Sequence, residues 1–194
     1  MSNKKYELTN ETKIMPTGET VYRIRALLSF DTIYQPVKAG DLGGWVQSED
    51  NLSHEGNCWL FEEATGYQNA KRSGDSVGYG NSCQLENSRQ YGNSRQFGCS
   101  VQSGSSQQFA DSRQFGWSRQ FGNSQQYDNS QQYGDSRQYG DSRQYGESQQ
   151  YGNSRQYGDS QQFGWSRQYD CSRQYGNSRQ YCKSRRYGSS RTSD

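Results

Sequence analysis

Gly134-Asp135-Ser136-Arg137-Gln138-Tyr139 is followed at once by Gly140-Asp141-Ser142-Arg143-Gln144-Tyr145. The same unit, Gly-(Asn/Asp)-Ser-(Arg/Gln)-Gln-(Tyr/Phe), runs almost without interruption from Asn87 to Tyr187, and a degenerate form of it begins at Cys58. A period of six does not fit a helix, and a glycine in every unit would cost a helix up to about 1 kcal/mol each time relative to alanine. Gly-Asn and Gly-Asp suit corners where the backbone turns. Four extended residues and a corner describe one side of a coil, so the repeat predicts an all-β fold, a single-stranded β-solenoid.

Size and charge decide which side chains face inward. Along Ser-Arg-Gln-Tyr the strand alternation puts serine and glutamine on one side, arginine and tyrosine on the other. Turning the second pair inward would bury a column of unpaired guanidinium groups at several kcal/mol per ion. The core ladder is therefore expected at Ser136, Gln138, Ser142, Gln144, Ser154 and Gln156, with Arg137, Tyr139, Arg143 and Tyr145 outside. The degenerate coils keep small residues in the serine phase, namely Cys58, Ala64, Ala70, Ser76 and Ser82. Their glutamine phase is mixed, and Arg72 within it is a misfit.

A buried amide without partners costs about 1–3 kcal/mol by mutational measures. Identical glutamines about 4.8 Å apart on successive coils can donate to one another, as in cross-β amide ladders. The exposed points of such a network are its ends. Arg186, standing where glutamine belongs, is a charge that should stop further stacking.

Three hexapeptides per coil would give about seven coils and a rod about 35 Å long. A two-sided coil of twelve residues also accommodates the unit, and the spacing of Trp117 and Trp165, a multiple of twelve but not of eighteen, favours it. The commoner hexapeptide geometry favours the triangle. A pairing of Gln138 with Gln156 marks three sides, and one with Gln150 marks two.

Outward from the repeat, three regions are expected: a capping β segment over 1–57, the solenoid over 58–187, and a disordered polar tail over 188–194. In the first, Val21-Tyr22-Arg23-Ile24-Arg25-Ala26-Leu27 alternates as a half-buried strand does, after a turn at Pro16-Thr17-Gly18, with Tyr6-Glu7-Leu8 as its partner. Gly40-Asp41-Leu42-Gly43-Gly44 lacks the ending of a phosphate-binding loop and reads as a tight turn. Over the 194 residues only 28% are hydrophobic, against about 45–50% in ordinary domains, which excludes an oily core throughout. No run approaches the roughly 18 apolar residues of a membrane span. The start, Met1-Ser2-Asn3-Lys4-Lys5-Tyr6-Glu7, has no apolar signal-peptide core, so a cytoplasmic location is expected. Cys58, Cys83, Cys99, Cys171 and Cys182 are odd in number and irregular in spacing, which argues against a disulfide framework or a metal site.

The segments Tyr6-Glu7-Leu8-Thr9, Tyr22-Arg23-Ile24-Arg25-Ala26-Leu27, Ala39-Gly40-Asp41-Leu42-Gly43-Gly44-Trp45-Val46 and Asn51-Leu52-Ser53-His54-Glu55-Gly56-Asn57-Cys58-Trp59 resemble the start of a family of uncharacterised hexapeptide-repeat proteins of bacteria and their phages, some of them labelled polymer-forming. The leader resemblance covers about a quarter of the chain. In the repeats of that family, units resembling Val-Tyr-Gly-Asn-Ala-Arg carry the coil. Here glutamine stands at the valine position and serine at the alanine position. The resemblance implies a hexapeptide solenoid, a place in a phage particle or related assembly, and no established activity.

Triangular hexapeptide solenoids include acyltransferases that use histidine as a general base. The single histidine, His54, lies in the leader, and no nucleophile, base and orienting group can be assembled around it. Asp135, Asp141, Glu147 and Asp159 sit at corners, where turn chemistry accounts for them. The reading is therefore a non-catalytic structural rod, an assembly or adhesion module, with no cofactor, no metal and no small-molecule substrate. Self-association end to end or side by side is one expected contact. An anionic partner is the other, because the arginines lie mostly in the C-terminal two thirds and alternate with aromatic residues as in single-strand nucleic-acid binders.

With eighteen residues per coil, Arg119, Arg137, Arg155 and Arg173 stack on one face, flanked by Phe121, Tyr139, Tyr157 and Tyr175, while glutamine interrupts the other two faces. With twelve, the unbroken column is Arg143, Arg155, Arg167 and Arg179. The composition also matches phase-separating low-complexity chains, but disorder requires composition without phase, and here the phase is kept.

Overall fold

The computed structural model describes residues 4 to 111 without a break, then Arg113, Gln114 and Gly116, and beyond them the two-residue strands from Arg119–Gln120 to Arg191–Thr192. The fold is an all-β parallel solenoid with a small antiparallel leader. In the leader, β1 (Tyr6–Ile14) pairs antiparallel with β2 (Thr20–Ala26), and β2 with β5 (Leu42–Val46). A short hairpin, β3 (Phe30–Asp31) and β4 (Pro36–Val37), projects between them. β5 then pairs in parallel with Thr65–Gly66, through Trp45↔Thr65 and Val46↔Gly66. The leader meander thus turns directly into the stack of coils, already within the segment that the sequence marks as a cap.

Each hexapeptide contributes two strand residues and a corner, and three of them close a coil. From Trp59–Leu60 onward the register is eighteen residues: Gln84 pairs with Gln102, Gln102 with Gln120, and Gln138 with Gln156, not with Gln150. This decides for three sides over two, so the twelve-residue register suggested by Trp117 and Trp165 is not the one adopted. Face A stacks Thr65–Gly66, Cys83–Gln84, Val101–Gln102 and Arg119–Gln120 upwards to Arg191–Thr192. Face B runs from Lys71–Arg72 to Arg179–Gln180, and face C from Trp59–Leu60 to Arg185–Arg186, where Arg186 is paired with Gln168.

The interior is built in two materials. At the base Tyr6, Ile24, Leu52, Trp59, Leu60, Ala64 and Val77 form a buried apolar cluster, with Trp59 edge-on to both Tyr6 and Phe30. From Gln84 to Gln156 the glutamines of the inward phase are buried, Gln138, Gln144 and Gln156 among them. The serine phase from Ser76 to Ser106 is buried beside them, while Ser136, Ser142 and Ser154 lie outside the described residues.

The glutamines are held in two different ways. On face B, Gln90 Nε2 donates to Gln108 Oε1 (2.6 Å), Gln108 to Gln126 (2.9 Å) and Gln126 to Gln144 (2.9 Å). Face C repeats this from Gln96 to Gln114, Gln132 and Gln150 at 3.0–3.3 Å. These are the expected ladders. Face A departs from them: Gln84 donates to the carbonyls of Lys71 and Ser88, and Gln102 to those of Arg89 and Ser106. Each of these amides bonds to neighbouring backbone instead of to the next coil, and Gln102 Oε1 is buried with no hydrogen-bond partner.

Arg72, the misfit, makes the junction between the two materials. Its side chain is buried, and its Nη2 donates to Gln96 Oε1 at 3.1 Å. It starts in the face B column but caps the foot of the face C ladder, whose lowest oxygen has no glutamine beneath it. Gly78 makes this path: a Cβ there would lie 3.0 Å from Arg72 Nη2 and 2.9 Å from Leu60 Cδ2. Burial pulls the guanidinium pKa down to about 10, so it still carries its charge at neutral pH. The face B ladder has no such cap, and Gln90 Oε1 at its foot has no partner.

Candidate anion-binding face and the His54 corner

On face A the outward positions read Thr65, Cys83, Val101, Arg119, Arg137, Arg155, Arg173 and Arg191, each in register with the next. Face B reads Lys71, Arg89, Gln107, Gln125, Arg143, Gln161 and Arg179. Face C reads Val77, Arg95, Arg113, Gln131, Gln149, Arg167 and Arg185. The four arginines assigned to one face from sequence are thus in one backbone register, and Arg191 extends it by a coil. The sequence pattern hides Arg191 because the repeat motif fades after Tyr187, although 173 plus eighteen points to it. The side chain of Arg119 is half-buried; of Arg137, Arg155 and Arg173 the structure describes the backbone, and Phe121, Tyr139, Tyr157 and Tyr175 lie outside the described residues. Arg143, Arg155, Arg167 and Arg179, the twelve-residue alternative, are divided among three faces.

The foot of face A is closed and electrically matched. Val21, Trp45 and Tyr67 form a buried cluster against Met15, Cys83 and Leu85. Lys13 Nζ and Arg23 lie 4.5 and 5.0 Å from the Trp45 ring, and both pair with Glu63 at 3.1 Å. Burial works against the Glu63 carboxylate, but Lys13, the Trp45 indole N–H and Arg23 together hold its pKa below the usual value.

Higher up the matching stops. Among the described residues, no carboxylate pairs with Arg89, Arg95, Arg113 or Arg119. The consequence is visible at Arg95 and Arg113, stacked on face C: burial first, and then the charge of Arg113, lower the Arg95 pKa, with Asp111 working against both. Arginines one coil apart therefore feel each other.

Aromatic residues line the corners between faces. Tyr91 stacks on Phe109 with centroids 5.5 Å apart and planes at 15°. At another corner the β3–β4 hairpin lays Tyr34 across Phe61, Tyr79 and Phe97 at 4.9–5.7 Å. Nothing in the sequence pattern signals this contact, since Tyr34 lies outside the repeat.

His54 lies at the base. Its Nδ1 accepts the Lys5 backbone N–H at 3.3 Å, which leaves Nε2 to donate to Glu49 Oε2 at 3.4 Å. The ring stacks on Tyr6 at 4.3 Å, and Glu49 also takes Lys4 at 2.8 Å. Both ring nitrogens are thus engaged in tying β1 to the first coil. Cys58 is buried beside Lys5, whose ammonium donates to the Cys58 and Gly56 carbonyls, and burial raises the thiol pKa. Among the described residues no group of three His, Cys, Asp or Glu side chains could hold a metal ion, and no helix is long and apolar enough to cross a membrane.

No family model matches the sequence. A curated protein of Escherichia coli K12, the uncharacterized acetyltransferase YdcK, is 31% identical over 83 residues, which is 41% of this chain and 24% of that protein. The chain therefore spans about a quarter of the length of the relative it matches. The likeness is distant and agrees with a hexapeptide-repeat solenoid.

Proposed function

We propose that the chain is a non-catalytic solenoid rod, an assembly or adhesion module whose face A binds a polyanion. The observation that carries this is the register Arg119↔Arg137↔Arg155↔Arg173↔Arg191, uninterrupted by glutamine, above a foot where Glu63 already matches Lys13 and Arg23. Like charges repeated about every 4.8 Å repel unless screened or paired, so the column gains from an anion laid along it. The word acetyltransferase in the name of the relative raises acyl transfer as an alternative chemistry. Against it stands the engagement of both nitrogens of His54, the single histidine, within the leader.

Titration with a single-stranded oligonucleotide at low and high salt tests the reading. Salt-sensitive binding that is lost in the Arg119→Gln/Arg137→Gln/Arg155→Gln/Arg173→Gln variant supports it. No binding at either salt concentration leaves a structural rod without a polyanion.

A further inference from the structure

We infer that the base of the solenoid encloses a monatomic anion, a halide, held by the free arm of the Arg72 guanidinium beside Gly66. This site is separate from face A and does not rest on the polyanion reading. Two cations are buried at the base, Arg72 at 2% and Lys5 at 4% exposure. Among the described residues no carboxylate lies within ion-pair distance of either. Asp75 acts on Lys5 only from a distance, and its carboxylate accepts the Asn57 amide. The Cys58 thiol, 3.4 Å from the Lys5 ammonium, does not supply the charge, because burial raises its pKa and keeps it protonated. An ion taken out of water without a counter-ion costs several kcal/mol, so two such cations in one small core call for an anion.

The guanidinium itself shows where that anion belongs. Nη2 is committed to Gln96 Oε1 at 3.1 Å, on the Gly78 side of the core. Nη1 is buried with no hydrogen-bond partner. In the shaft successive faces turn glutamines inward, as at Gln84, Gln90 and Gln96, and these fill the coil. In the coil of Arg72 the corresponding positions are Leu60, Gly66 and Arg72 itself. A Cβ on Gly78 would meet Arg72 Nη2 at 3.0 Å, whereas one on Gly66 would meet nothing closer than Asn51 Cβ at 3.8 Å and Leu60 Cδ1 at 4.0 Å. The interior is therefore tight on the side where Nη2 is bound and open on the side of Gly66.

The walls select the kind of ion. One N–H arm beside the hydrocarbon of Leu60 and Asn51 suits an ion that needs few donors and tolerates apolar contact. A phosphate, sulfate or carboxylate presents several oxygens, each of which would need a donor once buried. A water molecule would accept the Nη1 proton but leave both cations unmatched, and the test separates it from a halide.

The test is urea unfolding of the full chain, followed by circular dichroism, in mixtures of sodium bromide and sodium gluconate at constant ionic strength. Urea serves because guanidinium chloride would itself supply halide. An ion bound by the folded chain alone raises the folding equilibrium constant in proportion to its concentration once that exceeds the dissociation constant, so the proposal expects about a tenfold rise per tenfold rise in bromide. Arg72→Gln installs the residue that stands one coil above it at Gln90 and should abolish the dependence, while Arg89→Gln, at an outward position of the same face, should keep it. No dependence on bromide in the unaltered chain points to water and overturns the proposal. The same dependence in Arg72→Gln points to halide on the surface and overturns it too. Should Arg72→Gln fail to fold, anomalous diffraction from crystals of the unaltered chain grown in bromide decides: an ion at hydrogen-bond distance from Nη1 upholds the proposal, and none there overturns it.

Discussion

The base of the rod and its shaft share one coil geometry but fill it differently. At the base Trp59, Leu60, Ala64 and Val77 exclude water as an ordinary core does, and the leader wraps them with Tyr6 and Ile24. In the shaft the same inward positions carry serine and glutamine, and stability there depends on amides meeting amides. The apolar material tolerates loose ends because it has no polar groups to leave unpaired. The amide ladder has polarity and therefore ends, and Arg72 is placed at one of them. A second contrast lies within the shaft, between the laddered faces B and C and face A, whose amides bond to backbone.

The largest effects should come from breaking each material in its own way. Trp59→Ala empties the base and should cost about 3–5 kcal/mol in denaturant melts. Gln108→Leu is isosteric enough to pack, but it strands Gln90 Nε2 and Gln126 Oε1, at about 1–3 kcal/mol for each buried group. A shaft held by burial alone would instead accept Gln108→Leu without loss. Gln102→Leu on face A sharpens the comparison. It removes an unpartnered Oε1, and the Ser106 carbonyl keeps the Arg89 amide, so the change should stay within about 1 kcal/mol. Equal melts for Gln102→Leu and Gln108→Leu would mean that the two kinds of face do not differ energetically.

Smaller effects probe the junction and the corners. Gly78→Ala pushes a methyl group against Arg72 and Leu60 and should cost about 1–3 kcal/mol, less if Arg72 is shortened at the same time. Ala110 occupies a left-handed corner, φ 51°, that glycine takes in neighbouring coils, so Ala110→Gly should stabilise by about 1 kcal/mol. A loss of stability on that change would show that the corner methyl packs usefully.

The six-residue phase made the solenoid legible, and the charge on arginine made its inside legible. The small serine phase from Cys58 onward reinforced both. Trp117 and Trp165 misled because their spacing, a multiple of twelve, is not the register of the strands, which is eighteen. Arg72 could not be understood from its own column: its partner Gln96 lies on another face and the next coil, and the room for it is made by Gly78. The choice between ladder and backbone bonding is equally hidden, because Gln102 and Gln108 hold the same place in successive hexapeptides and differ in the partner that their amides meet. The arginine face was legible once eighteen residues per coil was assumed, except for Arg191. The Tyr34 contact was not, since nothing local links a hairpin tip to a corner three coils long.

The central claim, a shaft held by inward amides in an eighteen-residue register, is tested most directly by side-chain amide hydrogen exchange of Gln107 and Gln108 in glutamine-labelled protein. The two are neighbours in sequence, but Gln108 is fully buried and donates to Gln126, while Gln107 lies half-exposed on the outer surface. The Gln108 amide is expected to exchange at least about a hundredfold more slowly than that of Gln107. Similar fast exchange at both would contradict it.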